Sequence, residues 1–501
     1  MGWPSVACGG SALVLYLASA SPLAGSGDLA EFQTLAATGG VAHSGYPLFV
    51  MALQALGALP LGTVAWRAAA VCALAGALAV ALAAWYGAQV SGRAGVGVGV
   101  GASLALTTSM WREASRPEIY AFTLLITVGI FLAARAYLRR PSARGAAVTG
   151  LLAGLGLVSH LGVLGLITPL CAIAAWRLLR GQTTVRHLLA AALGLAIGLL
   201  PLVYLLQQDR SPAPMNYLGD TFGPMPPDAS PSEHVVRVVR LLSARQYFEG
   251  AGVAFRPFSD TPGRLRTLFD DLTLNGTSIA GVFLGLWGLV VVLRRSTSEG
   301  LLLGGWIASQ LFWLSLAAYH DTVVSFFLPA LWALTALQAH GLAGLGRLRR
   351  PAATVAAGLL VAVPLTRLAL IEPPPFIAHH PMLEAAWREG PRAILDERRD
   401  STWQAYGAGV LRTLEPGAVV FACWEEGTAL RYLRFAESQR PDVEIRWRCN
   451  DAERLRSDVA EAATHGHPMY VTYDPTGLLD PRAKVEPAGR WGRETLWRIR
   501  P

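Results

Sequence analysis

The stretch Gly27-Asp-Leu-Ala-Glu-Phe-Gln33 follows directly on the first apolar segment of the chain, residues 5–24, and carries Asp28 and Glu31. Carboxylates beside a membrane span are costly unless they face water or a partner, so they indicate function. Three residues apart, they share one face of a helix. His43 comes about four turns later. Two acids and an imidazole predict a site for proton transfer or for a charged lipid headgroup. The alternative is that the acids lie in a solvated loop, with Asp28 capping the start of a helix.

The composition is that of a polytopic membrane protein. Of 501 residues, 53% are hydrophobic and 15% charged, against about 25% charged in soluble domains, and the mean hydropathy is +0.39. The net charge of +8 comes from arginines clustered in short turns. Such clusters set membrane orientation, so no nucleic-acid partner is expected.

Apolar segments near the length of a membrane span recur along the chain. They predict a helical membrane protein with about eleven transmembrane helices, at 5–24, 66–87, 96–111, 118–138, 145–159, 161–178, 187–207, 276–294, 300–318, 322–344 and 352–371. The first is expected to be retained, because no basic region precedes it. Segment 45–62 carries prolines and glycines and is predicted to be an interfacial or re-entrant helix.

The basic turns predict the topology. They are Arg93; Arg135, Arg139, Arg140 and Arg144; Arg177, Arg180 and Arg186; Arg294 and Arg295; and Arg347, Arg349 and Arg350. All of them fall on the cytoplasmic side if the N-terminus lies inside. The extracytoplasmic side then receives the first loop, 25–62, the long loop, 208–275, and everything after a transmembrane domain at 1–372.

Residues 373–501 are predicted to be a soluble α/β domain. Strands are indicated at 417–423, 444–448, 469–473 and 495–499, and helical stretches alternate with them, which is typical of a mostly parallel sheet. Cys423 and Cys449 lie near the ends of two of these strands. They could pair outside the cytoplasm or remain free thiols.

Further polar groups lie at predicted outer turns. Arg112 and Arg116 could bind a phosphate that Glu118 aligns, or form ion pairs around a short loop. His160 interrupts an apolar run and is either a packing residue or part of a site. The glycines of GVGVGVG at 95–101 lie inside a span and predict close helix packing.

Several motifs, in order, carry a resemblance to a family. They are GDLAEF, VAHSGYPLF, LGTVAWR, WREASRPEIYAF, GLGLVSHLGVL, NYLGD, HVV and ARQY, all between residues 27 and 247. The chain resembles bacterial members of the transmembrane protein O-mannosyltransferase-like family, within the GT-C glycosyltransferases. The resemblance implies that Asp28 is a base or orients the acceptor, supported by Glu31. The other shared positions, implied to bind substrate, are His43, Tyr46, Glu118, Tyr120, His160, Asp220, His234, Arg245 and Tyr247.

The resemblance implies a glycosyltransferase of the bacterial cytoplasmic (inner) membrane that acts on its outer side. The donor would be a polyprenyl-phosphate-linked sugar, with mannose the family-based choice, and the acceptor a protein or glycan. Arg112, Arg116 or Arg245 would stabilise the departing phosphate. Divalent metal, Mg²⁺ or Mn²⁺, is conceivable but not required by the sequence. The rival hypotheses are a transporter or flippase of lipid-linked sugars, a non-catalytic envelope scaffold, and an enzyme acting on phospholipid.

Overall fold

A computed structural model gives the fold of the chain. It describes residues 2–211, 213–223, 225–226, 228–243, 262–263, 265–266, 269, 277–316, 323–348, 350–369, 394–395, 398–449, 451–492 and 494–500.

The N-terminal part is helical. Its helices are α1 Trp3–Ser19, α2 Gly27–Thr38, α3 Pro47–Gly57, α4 Val64–Ser91, α5 Ala94–Ala105, α6 Thr108–Ser115, α7 Ile119–Arg139 and α8 Ala143–Leu157. A 3₁₀ turn at Leu161–Val163 leads into α9 Leu164–Leu179, α10 Val185–Gly198, α11 Leu202–Gln208, α12 Tyr217–Phe222 and α13 Pro231–Leu242. Four long helices follow: α14 Ser278–Arg295, α15 Thr297–Leu316, α16 Val323–Leu348 and α17 Arg350–Ala369.

Among the described residues, six helical segments are long and apolar enough to cross a membrane, so the protein is multi-pass. They are Val64–Ser91, Ile119–Arg139, Leu161–Leu179, Val185–Gln208, Ser278–Arg295 and Ser325–Arg347. The predicted count of eleven is not confirmed. Trp3–Ser19 and Ala143–Leu157 are shorter apolar helices, and the predicted span 96–111 is the pair α5 and α6, bent by 65° at its break. Segment 45–62 contains the short apolar helix α3; its interfacial or re-entrant placement stays a prediction.

Small residues let the helices approach closely. A Cβ on Gly97 would lie 2.5 Å from the Ala84 carbonyl oxygen of α4, and one on Gly99 would lie 2.9 Å from the Ala357 Cβ of α17. The interpretation of GVGVGVG as a packing motif is thereby confirmed, because only glycine leaves room for these contacts.

A buried ionic cluster ties four helices together. Glu299, at the start of α15, accepts hydrogen bonds from Tyr86 Oη of α4 at 2.6 Å and from Arg135 Nε of α7 at 2.6 Å. Arg139 adds a contact at 2.9 Å, and the ring of His340 from α16 lies 3.7 Å away. Arg135 and Arg139 therefore have a structural partner in addition to any effect on orientation.

The C-terminal part contains a five-stranded sheet. Its elements are α18 Thr402–Thr413, β1 Val419–Ala422, α19 Trp424–Phe435, β2 Glu444–Trp447, α20 Ala452–Thr464, β3 Met469–Val471, β4 Lys484–Trp491 and β5 Glu494–Arg500. The strand order is β2-β1-β3-β5-β4.

This sheet is mixed, whereas a mostly parallel one was predicted. β1 pairs in parallel with β2 and β3, but β5 is antiparallel to both β3 and β4. The sequence analysis missed β4, because it is largely exposed and contains Pro487 and Gly489, so it lacks the apolar alternation of a strand. The predicted boundary at 372/373 lies outside the described residues.

The sheet domain packs on the first loop of the transmembrane part. Ala30 of α2 and Ala65 of α4 share one apolar core with Val410, Leu430 and Leu433 of α18 and α19. This shared core holds the amino end of α19 against the amino end of α2.

Candidate active site

The acids of the first loop lie on helix α2. Asp28 is in the first turn and its side chain is 40% exposed, while Glu31, one turn on, is fully buried. Both carboxylates face His43. The predicted common face of a helix is therefore what brings two acids to one imidazole.

His43 is fixed to Glu31 by two hydrogen bonds. Its backbone N–H donates to Glu31 Oε1 at 2.8 Å, and its Nδ1 lies 2.6 Å from Glu31 Oε2. The other ring nitrogen, Nε2, is 3.7 Å from Asp28 Oδ2. One imidazole thus bridges the buried acid and the exposed acid.

The loop that carries His43 is held by a second segment. Val41 donates to the Met215 carbonyl at 2.8 Å and accepts from the Tyr217 N–H at 3.0 Å. Gly40 has φ +122°, and a Cβ there would lie 1.9 Å from the Met215 oxygen, so this position needs glycine. The long loop therefore supports the geometry of the first loop.

The Glu31–His43 pair holds a proton at neutral pH. Burial acts to lower the pKa of His43. The negative charges of Asp28 and Glu31 and the hydrogen bond that Glu31 accepts from the ring outweigh this effect and raise the pKa to about 9. Burial also raises the pKa of Glu31, against the effect of His43. Both shifts favour the protonated form of the pair.

This pair is expected to make stability pH-dependent. The pKa of His43 rises from an ordinary 6.5 to about 9 on folding, so its contribution is complete below pH 6.5 and is lost as pH rises through 9. The shift corresponds to about 3 kcal/mol. We expect the gap in melting temperature between wild type and His43→Gln to be large at pH 6 and small at pH 10. A gap that does not change with pH would contradict the assignment.

A group of aromatic rings packs beside His43 through Tyr46. His160 contacts Tyr46, Tyr120 and Phe326, with ring centroids 5.8, 5.7 and 5.1 Å apart. Burial, and then the charge of His43, lowers the pKa of His160 to about 4, so it is neutral. Its Nδ1 accepts from the Gly162 N–H at 2.9 Å. The predicted residues Tyr46, Tyr120 and His160 are thus brought together beside His43.

Glu118 lies close enough to Asp28 and His43 to interact with their charges. Burial raises the pKa of Glu118 well above its usual range, and the charges of Asp28 and Glu113 add to the shift. Arg116 and His43 act in the opposite direction. Arg112 Nε is buried with no hydrogen-bond partner among the described residues, so one donor of this guanidinium has no acceptor there.

Asp220 and His234 have protein partners. Asp220 forms a two-pronged ion pair with Arg431 of α19, at 2.6 and 3.3 Å. His234 Nδ1 lies 2.7 Å from the buried Asp209, and Arg210 Nε donates to His234 Nε2 at 3.0 Å. Both residues line a cavity of about 660 Å³ beside the site. Arg245 and Tyr247 lie outside the described residues.

The sequence analysis missed Trp424. Its indole Nε1 donates to Asp28 Oδ1 at 3.0 Å across 396 positions of sequence. Trp424 follows β1, and Trp447 ends the neighbouring parallel strand β2. The carboxyl ends of parallel strands are where α/β domains place functional groups, and that signal was readable in the sequence. Cys423 and Cys449, next to these strand ends, form a disulfide.

Asp28, Glu31 and His43 are also suited to a cation. Their ligand atoms, two carboxylate oxygens and an imidazole nitrogen, lie within 4.8 Å of one another. Such a set suits several divalent ions. Binding would have to displace the proton shared by Glu31 and His43.

Comparison with protein families supports a common origin for the N-terminal region. Residues 28–185 match the family model of the Protein O-mannosyl-transferase TMEM260 N-terminal domain. Mouse Protein O-mannosyl-transferase TMEM260 is 30% identical over 187 residues, which is 36% of this chain. The match spans about a quarter of that relative, 26% of its length. The resemblance to the O-mannosyltransferase-like family is confirmed for this region.

The whole fold is similar to solved structures of two other proteins. ArnT from Cupriavidus metallidurans bound to undecaprenyl phosphate aligns with a TM-score of 0.57 and 13% identity, over 98% of this chain and 97% of ArnT. The Archaeoglobus fulgidus oligosaccharyltransferase in complex with Zn and sulfate aligns with a TM-score of 0.51 and 11% identity, over 93% of this chain and 68% of that one. The chain thus shares the fold of ArnT and of this oligosaccharyltransferase.

Proposed function

We propose that this relative of the O-mannosyl-transferases moves a sugar from a polyprenyl-phosphate donor to a hydroxyl of a protein or glycan acceptor. The observation that carries the proposal is the exposed Asp28 beside the buried Glu31–His43 pair, on a helix that follows the first apolar segment. The undecaprenyl phosphate bound to ArnT, a protein of the same fold, supports a lipid-linked donor.

The side chains suit the chemistry of transfer. An acceptor hydroxyl attacks the anomeric carbon, the bond from that carbon to the phosphate oxygen breaks, and its electron pair leaves with the phosphate. Asp28 takes the hydroxyl proton as general base. Glu31 and His43 orient Asp28 through the imidazole. Arg112 and Arg116 stabilise the charge on the departing phosphate.

The finer assignments are proposals of the same kind. Mannose is chosen as the sugar because of the mannosyl-transferase relatives. The basic turns support a cytoplasmic N-terminus, with the site and the sheet domain outside a bacterial cytoplasmic membrane. The disulfide between Cys423 and Cys449 supports the same orientation, because disulfides persist in oxidising compartments.

The proposal includes a divalent cation, Mg²⁺ or Mn²⁺, held by Asp28, Glu31 and His43. Bound there, the ion would supply Lewis-acid stabilisation of the phosphate. Loss of transfer on treatment with EDTA, and its recovery with Mn²⁺ or Mg²⁺, would establish that the ion replaces the proton of the Glu31–His43 pair in the active enzyme. Full transfer after chelation would remove the metal from the proposal and leave the role of Asp28 as base intact.

The test of function is transfer by the purified protein in proteoliposomes. Radiolabelled polyprenyl-phosphate-mannose is supplied with an extract of the native envelope, and nucleotide-linked mannose serves as the comparison donor. We expect label to reach protein or glycan from the lipid donor alone.

No label transfer from mannose or from a panel of other polyprenyl-phosphate sugars would overturn the proposal. Movement of the labelled lipid across the bilayer without transfer would then establish a flippase. Label arriving on phospholipid would establish the phospholipid enzyme.

A further inference from the structure

The amino end of α19 is built against the amino end of α2. Glu425 accepts a hydrogen bond from the Ser26 side chain, and burial raises its pKa. Gly27 has φ +55°, and a Cβ there would lie 2.6 Å from Glu425 Oε2. The two helix ends therefore meet closely at Gly27, where the positive φ favours glycine.

Three aromatic rings pack around the Trp424 indole. Its ring centroid lies 5.8 Å from His43, 5.9 Å from Tyr217 and 5.4 Å from Trp447. These edge and tilted contacts fix the plane of the indole. The indole N–H is thereby aimed at Asp28 Oδ1, 3.0 Å away.

The disulfide lies next to Trp424 and close to Trp447 along the chain. Cys423 immediately precedes Trp424, and Cys449 is two residues past Trp447. The bond joins the segments that follow β1 and β2; Trp424 begins α19 just after β1, and Trp447 is the last residue of β2. Breaking it would free both segments at the point where they contact the site.

We propose that Trp424 is a positioning residue for Asp28, and that the Cys423–Cys449 disulfide keeps it in place. This inference rests on the proposed function of Asp28. The sheet domain then completes the active site: its indole N–H fixes one carboxylate oxygen, which leaves Oδ2 to face His43 and the acceptor. A hydrogen bond to a charged group of this kind contributes about 1.5–3 kcal/mol.

The first test uses Trp424→Phe, which keeps a ring and removes the donor. We expect kcat for sugar transfer to fall roughly ten- to hundredfold, with KM for the acceptor little changed. The matched control is Trp403→Phe on α18. Trp403 packs on Tyr406, so this variant is expected to leave kcat for sugar transfer unchanged. A loss confined to KM would overturn the positioning role, because it would mean that Trp424 binds the acceptor.

The second test does not depend on activity. Carbodiimide labelling of Asp28, read by mass spectrometry at pH 6, reports whether the carboxylate is held by a donor. We expect several-fold faster labelling in Trp424→Phe, in the Cys423→Ser/Cys449→Ser double variant, and in wild type after reduction. Equal labelling in all forms would overturn the inference even if wild type transfers sugar. Faster labelling with no transfer by wild type would keep the contact and reject the proposed function.

Discussion

Asp28→Asn is expected to lower the rate of sugar transfer by two to four orders of magnitude, the usual contribution of a general base. Asn has the same shape and keeps an oxygen that can accept the indole N–H of Trp424, which lies 3.0 Å from Asp28 in the wild type. The fold is therefore expected to be unchanged. The measurement is the initial rate of label transfer from polyprenyl-phosphate-sugar to acceptor in proteoliposomes.

The matched control for this variant is Asp228→Asn. Asp228 is an exposed acid of the long loop, so its replacement should leave the rate within about twofold. A rate for Asp28→Asn equal to that of wild type would remove Asp28 from the mechanism. Glu118 would then be the acid to test next, since burial keeps its pKa high and it lies within the field of His43.

Glu299→Ala is expected to destabilise the protein by about 3–5 kcal/mol, because it leaves the largely buried Arg135 without its counter-charge. Glu299 is 4% exposed and Arg135 is 12% exposed. Tyr86 Oη and Arg139 would lose their acceptor as well. The measurement is the melting temperature of the detergent-solubilised protein. Melting is monitored as the loss of the monodisperse peak in size-exclusion chromatography after heating.

Glu444→Ala provides the comparison. Glu444 is 49% exposed and pairs with Arg446 on the surface of the sheet domain, where an ion pair contributes at most about 1 kcal/mol. Equal melting temperatures for the two variants would mean that the Glu299 cluster contributes no more than a surface pair.

The long apolar helices and the acidic site were predictable from local sequence. Hydropathy alone indicates a helix such as Val64–Ser91, because a membrane span needs a continuous apolar run. The spacing of Asp28 and Glu31 predicts their common face. Their contact with His43 was indicated only by nearness in sequence.

Other features depend on long-range contacts that leave no local pattern. Asp220 pairs with Arg431 across 211 positions, and its binding of substrate stays a prediction. The hydrogen bond from Trp424 to Asp28 is equally remote in sequence. The bend between α5 and α6 also escaped prediction, because the two helices taken together are long and apolar enough to be read as one span.

The contact between Trp424 and Asp28 has a consequence for biosynthesis. The two residues are separated by 396 positions, so a ribosome that adds 5–20 residues each second needs about 20–80 s to produce the second after the first. During that interval the nascent chain already carries Asp28 but has no indole to hold its carboxylate. The contact between α2 and α19 can therefore form only after the first strands of the sheet domain have been made, long after the helix that carries Asp28.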